Sequence, residues 1–305
     1  LDEGDRMLDM GFADEILAIV GHTPRARQTL LFSATYPPEI ERMSATIQRD
    51  ALRIDVDEAH AAPHIEQIFH EVEPALVTDA VVALLAHHRP PSTLVFCATK
   101  VQCAALARAL HERGGQALAI HGDLEQPERD RALTLFANGS CPVLVATDVA
   151  ARGLDIDELA AVINVELPRE PEVYVHRIGR TGRAGASGLA ISLFAPSELP
   201  RLRAIEALQH TSARVLPLPA AGGTLPVAPR ITLSIRAGRR DKLRAGDVLG
   251  ALTNDGGIAS AHVGKIAVGD RLTYVAIDRA HADAALRHLQ RIPIKGRRLP
   301  VQRVE

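Results

Sequence analysis

From Ile65 to about Ala195 the hydrophobic and polar positions follow two alternating regimes. Short continuous apolar runs, "STLVFCAT", "QALAIHG", "CPVLVATD", "LAAVINVEL" and "GLAISLFA", have the length and β-branched content of strands buried on both faces. "IEQIFHEVE" precedes them as a further strand. Between the runs lie stretches with helical spacing: "DAVVALLAHH", "KVQCAALARALHERGG" stopped at Gly114-Gly115, and "EQPERDRALTLFANG" ended by Asn138-Gly139. Strand and helix taking turns predict a parallel sheet with helices on both faces. In such sheets the functional loops lie beyond the C-terminal strand ends. "CAT" (Cys97 to Thr99), "HGD" (His121 to Asp123) and "ATD" (Ala146 to Asp148) fall there.

The flanks differ. Residues 1–56 repeat the same style in shorter form, with "TLLFSAT" reading as a buried strand that runs into a polar loop and "ALRIDVDEA" as a final strand. That segment is too short for an α/β domain of its own and is expected to be the last third of one. The main α/β domain covers 65–213. "VLPLPAAGGTLPVAPR" carries Pro217, Pro219, Pro226, Pro229 and Gly222-Gly223, and predicts a linker over 214–229. Residues 230–305 then offer a strand ("RITLSI"), a helix, two or three strands, a helix and a last strand. That order is ferredoxin-like, the framework of RRM-type RNA binders.

Composition sharpens this picture at three points. No apolar run approaches the roughly 20 residues of a membrane span, which predicts a cytoplasmic protein with no membrane partner. Cys97, Cys103 and Cys141 have no CxxC spacing and read as buried thiols of a reducing compartment. The net charge of −2 hides an asymmetry: residues 228–305 hold 15 basic and 7 acidic side chains, the rest 20 and 30. A basic module on an acidic body favours a polyanionic partner at one end.

Four segments carry candidate chemistry. In "LDEGDRMLDMGF" the carboxylates Asp2, Glu3 and Asp5 could hold a hydrated Mg²⁺ and orient a water, or could form a solvated acidic helix start. "SAT", Ser33 to Thr35, could be a helix cap. "LVATDVAARGLDI" delivers Thr147 and Asp148 into a small-residue loop where backbone amides can approach a phosphate, and Asp155 could accept from a ribose hydroxyl; a tight turn capped by Asp148 is the plainer alternative. "YVHRIGRTGRAG" sets Arg180 and Arg183 three apart, with Gly179 and Gly182 leaving room for the backbone. Paired guanidinium groups of this kind suit the γ-phosphate of a nucleotide.

These segments together resemble the DEAD-box RNA helicase family. "DEGD" is similar to the namesake motif, with Gly4 in place of alanine, a change expected to loosen the turn and leave the carboxylates in place. "SAT", "LVFCATK", "HGDLEQPERDR", "ATDVAARGLDI" and "HRIGRTGR" follow in the family's order. The resemblance implies a fold class of α/β type: a RecA-like parallel-sheet domain, preceded by the end of another and followed by a small α+β RRM-like domain. It implies ATP and Mg²⁺ as cofactors, with Asp2 (holding Mg²⁺ through water) and Glu3 at the metal and the attacking water. It implies Gly153, Asp155, Arg180 and Arg183 at ATP, and Ser33, Thr35 and His176 in coupling hydrolysis to unwinding. Thr99, Gly122, Arg129 and Thr147 would touch the RNA backbone.

The last module resembles the RNA-binding domain of the DbpA-type branch, which implies targeting to a hairpin of large-subunit ribosomal RNA, a role in ribosome assembly on a pre-ribosomal particle, and action as a monomer. Its basic side chains Arg239, Arg240, Lys242, Arg244, Lys265, Lys295, Arg297 and Arg298 are available to phosphates. Tyr274 is the one candidate for base stacking and could equally be a half-buried core residue.

The family's phosphate loop, GxxxxGK[ST], does not occur in the 305 residues; Gly264-Lys265 is followed by Ile266, and Lys295-Gly296 runs the wrong way. The chain starts at Leu1 and is expected to be an N-terminally truncated helicase. Two functions stay open: an ATP-dependent RNA helicase of which this is the remainder, and a nucleotide-independent RNA-binding protein. A DNA helicase of related fold fits the basic tail less well.

Overall fold

The computed structural model describes residues 1–33, 35–55, 65–151, 159–182, 187–220, 222–255 and 257–304. They belong to two compact units, Leu1–His60 and Ala61–Glu305.

The first unit holds three helices, α1 (Gly4–Asp9), α2 (Ala13–Gly21) and α3 (Pro38–Ile47). Pro38 opens α3, where its missing N–H costs nothing. Ile16, Met43 and Ile47 form a small core against Leu1, Met7, Leu8 and Val20. The expected strand "TLLFSAT" does not form. The Leu1 amino group donates to the Leu30 carbonyl at 2.8 Å and the Phe32 N–H donates to the Leu1 carbonyl at 2.9 Å. That is one residue of parallel pairing, and Leu30 and Phe32 stay 57% and 60% exposed. A strand needs a neighbour along its length to take up its backbone groups. The same reason leaves residues 51–55 without strand structure, with Leu52 and Ile54 exposed.

In the second unit strands and helices take turns: β1 (Ile65–Glu71), α4 (Val77–His88), β2 (Thr93–Cys97), α5 (Lys100–Glu112), β3 (Ala117–Ile120), α6 (Gln126–Ala137), β4 (Val143–Thr147), α7 (Asp148–Ala151), β5 (Ala161–Asn164), α8 (Pro171–Ile178), β6 (Gly188–Phe194) and α9 (Leu199–Gln209). The sheet has six parallel strands in the order β1-β6-β5-β2-β4-β3. Alternate residues of its strands serve opposite faces. Val95, Val145, Ile163 and Ile191 meet α4 and α5 on one side. Leu94, Phe96, Leu144 and Val162 meet α6 and α7 on the other, and Phe69, Ala190 and Phe194 meet α8 and α9. The three-layer α/β architecture read from the periodicity is thus observed.

Helix α8 is an element that the hydrophobic pattern did not predict. It takes in the first five residues of "YVHRIGRTGRAG", Tyr174 to Ile178, and ends at the first glycine. Pro171 sits in its first turn, Val173, Tyr174, Arg177 and Ile178 face inward, and Gly179 closes it.

The proline-rich stretch after α9 is no loose tether. The Phe69 N–H donates to the Arg214 carbonyl at 3.0 Å and the Leu216 N–H to the Phe69 carbonyl at 2.9 Å, so the chain runs along the free edge of β1. Leu225 is buried in the α4–α5 core, and an added methyl on Gly115 would meet Leu225 Cδ1 at 2.6 Å and the unyielding Leu110 carbonyl oxygen at 2.9 Å. The glycine there is required by close approach.

The C-terminal module is β7 (Arg230–Ile235), α10 (Ala245–Gly250), β8 (Val263–Val268), β9 (Thr273–Asp278), α11 (Ala282–Arg291) and β10 (Val301–Arg303). Its antiparallel sheet runs β10-β7-β9-β8, the ferredoxin-like order. Ile231, Leu233, Ile235, Val275 and Ile277 face the two helices. The opposite face carries Thr232, which is 1% exposed. The Asn138 Nδ2 group donates to Thr232 Oγ1 and that hydroxyl donates to Ser140 Oγ, both at 2.8 Å. Part of the sheet's open face is therefore seated on the turn between α6 and β4.

Candidate functional site

Asp2 and Glu3 are exposed at the entry to α1, with Glu3 at φ +52°, and Asp2 Oδ1 accepts the Glu3 N–H at 2.9 Å. Their carboxylate oxygens suit a hydrated Mg²⁺, which takes one or two protein carboxylates and keeps its remaining waters. Asp5 is different. It is buried, and its Oδ2 accepts both the Thr35 N–H at 2.8 Å and the Thr35 hydroxyl at 2.7 Å. Its own N–H donates to Ser33 Oγ at 2.9 Å. The "DEGD" and "SAT" segments, 28 to 30 residues apart, are thereby joined through one carboxylate. Thr35 is not the plain helix cap considered from sequence; helix α3 starts three residues later with no side-chain cap. Gly4 stands in a close-packed position. It is buried, and an added methyl would lie 2.9 Å from Leu31 Cδ1 and 3.3 Å from Ile40 Cδ1.

In the second unit the site is assembled from the ends of adjacent strands. Gly122 follows β3, Thr147 ends β4 and Thr99 follows β2, and these three strands are neighbours in the order β3-β4-β2. Neighbouring strands stand about 4.8 Å apart, so the three residues form a row across the top of the sheet. Thr99 is the N-cap of α5, its hydroxyl accepting the Gln102 N–H at 3.1 Å. The loop after β2 is held by the Ala98 N–H donating to Glu166 Oε1 at 3.0 Å. The Lys100 ammonium meets Asp123 at 2.9 Å, and this bond holds the Asp123 carboxyl below its ordinary range. Gly122 is exposed with open space where a side chain would stand. Arg129 on α6 donates to the Ala150 carbonyl at 3.4 Å, while its Nε–H is buried without an acceptor among the described residues.

One central residue escaped the sequence reading. Arg177 on α8 is 3% exposed. Its Nε and Nη2 donate to Asp148 Oδ1 and Oδ2 at 2.7 and 2.8 Å. Its Nη1 donates to Asn164 Oδ1 at 3.1 Å and to the Glu166 carbonyl at 3.2 Å, and its guanidinium lies over the Phe96 ring, 5.0 Å from the centroid. Asn164 is itself anchored by donating to Ser192 Oγ at 3.1 Å. Asp148 is therefore an ion-pair partner at the start of α7, more than a turn cap. The available signal was the first arginine of "HRIGRTGR", placed on the buried side of a helix by Tyr174 and Ile178.

His176 is exposed on α8, and Arg180 is half-buried one turn beyond Arg177. Gly182 takes φ +71°, a left-handed turn that glycine adopts without strain. Gly153, Asp155 and Arg183 lie outside the described residues.

In the C-terminal module Arg240, Lys265 and Arg298 are exposed, as are Lys242 and Arg244. Lys295 is engaged within the module: its ammonium donates to the Lys242 carbonyl at 2.7 Å and lies 3.3 Å from Asp247. Arg297 pairs with Asp241 at 3.3 Å, and Arg239 reaches Asp270 at 4.0 Å. Tyr274 is half-buried on the sheet face opposite the helices, between Ser234 and Ala267 of the flanking strands. The three cysteines are buried and unpaired, and burial pushes the thiols of Cys103 and Cys141 up to about 11. Among the described residues no group of three potential ligands could hold a metal ion, and no helix is long and apolar enough to cross a membrane.

A parallel α/β domain with its site along the strand ends, followed by a ferredoxin-like module, is the architecture of a helicase C-terminal domain bearing an RNA-binding appendage. The chain belongs to the DEAD-box helicase family. Residues 1–43 match the DEAD/DEAH box helicase family, 77–185 the helicase conserved C-terminal domain, and 232–303 the DbpA RNA binding domain. The last match places it in the DbpA-type branch. It is 50% identical over 298 residues to the ATP-dependent RNA helicase DbpA of Escherichia coli K12, covering 97% of this chain and 65% of that protein. It is 45% identical over 207 residues to the DEAD-box ATP-dependent RNA helicase CshA of Geobacillus kaustophilus, covering 68% of this chain and 44% of that protein. The chain thus spans less than two thirds of the curated relatives it matches. Among solved structures it is similar to S. cerevisiae Dbp5 bound to RNA and ADP BeF3, with a TM-score of 0.64, 32% identity, and coverage of 72% of this chain and 59% of that one.

Proposed function

We propose that this chain is part of an ATP-dependent RNA helicase that separates short duplexes by closing two RecA-like domains around RNA and ATP. Its C-terminal module would direct it to a hairpin of large-subunit ribosomal RNA in a pre-ribosomal particle. The observation that carries the reading is the row of Gly122, Thr147 and Thr99 on three adjacent strand ends. Small and hydroxyl-bearing residues at strand spacing suit a sugar-phosphate backbone, which a helicase must grip without reading its sequence. Helix α8 adds His176 and Arg180 at the edge of the same surface, where a guanidinium can meet a γ-phosphate. Bound ATP with Mg²⁺ would supply the energy of closure; Asp2 and Glu3 offer the carboxylates for the metal and the attacking water, and Asp5 holds Thr35 and Ser33 beside them. Arg240, Lys242, Arg244, Lys265 and Arg298 supply the positive surface for the guiding RNA.

The second reading is RNA binding without nucleotide, carried by the exposed basic side chains of the C-terminal module. One experiment separates the two. Phosphate release and duplex unwinding are measured with structured ribosomal RNA, for the chain alone and for the chain carried behind the portion of E. coli DbpA that it does not match. The helicase reading expects RNA binding by both, RNA-stimulated phosphate release by the joined protein only, and its loss on Glu3→Gln. Tight RNA binding with no phosphate release by either protein would leave the RNA binder standing.

A further inference from the structure

We propose that the Arg177–Asp148 pair is a positioning device that ties the loop after β4 to helix α8. RNA held at Thr147 thereby orders the helix that delivers His176 and Arg180. The proposal rests on the RNA reading of the β4 loop given above.

Asp148 directly follows Thr147 and is the first residue of α7. Arg177 lies one turn before Arg180, at the end of α8. Between them the guanidinium and carboxylate form a two-pronged bond of 2.7 and 2.8 Å. Such a fork fixes both distance and orientation, which a single hydrogen bond or a lysine would not. The remaining donors brace the arginine against β5, through Asn164 and the Glu166 carbonyl, and Phe96 of β2 closes one side. Four of the five N–H groups are engaged in a nearly water-free setting. The loop cannot shift relative to the helix without exposing an unpaired buried charge, which is strongly disfavoured. The pair has two positions to link and a rigid sheet behind it. Packed side chains and hydrogen-bonded ion pairs of this kind are what carries coupling between sites. Arg177 touches neither phosphate nor RNA in this role; it acts through Asp148 and α8.

The test uses the 305-residue chain and a uridine oligonucleotide of about ten nucleotides, within the usual footprint of single-strand binders. Amide hydrogen exchange is followed at residues 147–151 and 171–178, with and without saturating oligonucleotide. In the unaltered chain RNA is expected to slow exchange about threefold or more at both segments. In Asp148→Asn, which keeps the shape and removes the charge, slowing is expected at 147–151 and not at 171–178. Arg177→Lys is expected to behave alike, since it keeps the charge and loses the fork; it replaces Asp148→Asn should that variant fail to fold. Slowing at both segments in the variants would overturn the proposal, as would slowing at 147–151 alone in the unaltered chain. No RNA effect at 147–151 in the unaltered chain would instead overturn the RNA reading on which the proposal rests.

Discussion

Arg177 and Asp148, 29 residues apart, meet in a two-pronged ion pair of 2.7 and 2.8 Å with the arginine almost wholly buried. Removing the arginine would leave the Asn164 side-chain oxygen and the Glu166 carbonyl short of a donor as well. Arg177→Ala is expected to cost about 3–5 kcal/mol, the range for breaking a buried pair from one side. Asp148 is about a quarter exposed, so water can partly relieve Asp148→Asn, with an expected cost of about 1–2 kcal/mol. Urea denaturation of the three proteins measures both; equal losses would mean that the charge pair alone, and not the neutral oxygens of Asn164 and Glu166, does the holding.

Asp5 holds Thr35 by two hydrogen bonds to one oxygen. Thr35→Val removes the hydroxyl and keeps the backbone bond, whereas Asp5→Ala removes both. The first is expected to cost about 1 kcal/mol and the second about 2–3 kcal/mol in the first unit. In the enzyme proposed above, Thr35→Val should lower RNA unwinding more than RNA-stimulated phosphate release. A strictly parallel fall of the two activities would show that this contact does not serve coupling.

The hydroxyl of Thr232 accepts from Asn138 and donates to Ser140 where the C-terminal sheet rests on the α6–β4 turn. Thr232→Val keeps the shape and leaves the buried Asn138 amide and the part-buried Ser140 hydroxyl without this partner, at a cost of about 1–3 kcal/mol. Calorimetry should then show the module melting ahead of the parallel-sheet domain. Retention of a single transition at the original temperature would mean that the hydroxyl network contributes nothing to the seating.

His70 gives the second unit a pH dependence. Its Nδ1–H donates to the Leu216 carbonyl at 2.8 Å, which leaves Nε2 unprotonated and buried without a donor among the described residues. Burial holds its pKa below the ordinary value of 6.5. The unfolded chain then binds a proton near pH 6.5 that the folded protein refuses, so this contribution is present above that pH and is lost as pH falls through it towards the lower folded value. Chemical denaturation at pH 7.5 and 5.5 is expected to show a drop that His70→Gln reduces. An identical drop in the variant would assign the effect to other groups, His88 first, whose pKa burial also lowers.

Gly188 opens β6, and an added methyl would stand 2.5 Å from the Gly182 nitrogen and from Thr181 Oγ1. Backbone cannot yield as a flexible side chain does, and Thr181 is held by the Leu159 carbonyl. Gly188→Ala is expected to destabilise by about 1–3 kcal/mol and to displace the turn that follows Arg180. Unchanged stability would require the strand to start elsewhere.

The order of hydrophobic runs and glycine stops in the sequence determined the parallel α/β domain, its strand-end loops and the ferredoxin-like module, because these follow from local periodicity. The row of Thr99, Gly122 and Thr147 was legible as three separate loops, since strand ends in such a sheet carry the site. That they lie side by side was decided by the crossover order β3-β4-β2, which no local pattern encodes. Residues 29–33 and 51–55 are apolar enough for strands, yet a strand exists only where a neighbour takes its hydrogen bonds, so they form none and Leu30, Phe32, Leu52 and Ile54 stay exposed. Nothing in the local pattern set Arg177 apart from the arginines after it; burial on the inner side of α8 made it the partner of Asp148, Asn164 and Glu166. The prolines of 214–229 signalled a connection, and only packing showed it pinned to β1 and to the α4–α5 core. Residue type and spacing set which groups can pair, and distance in the folded chain decides which ones do.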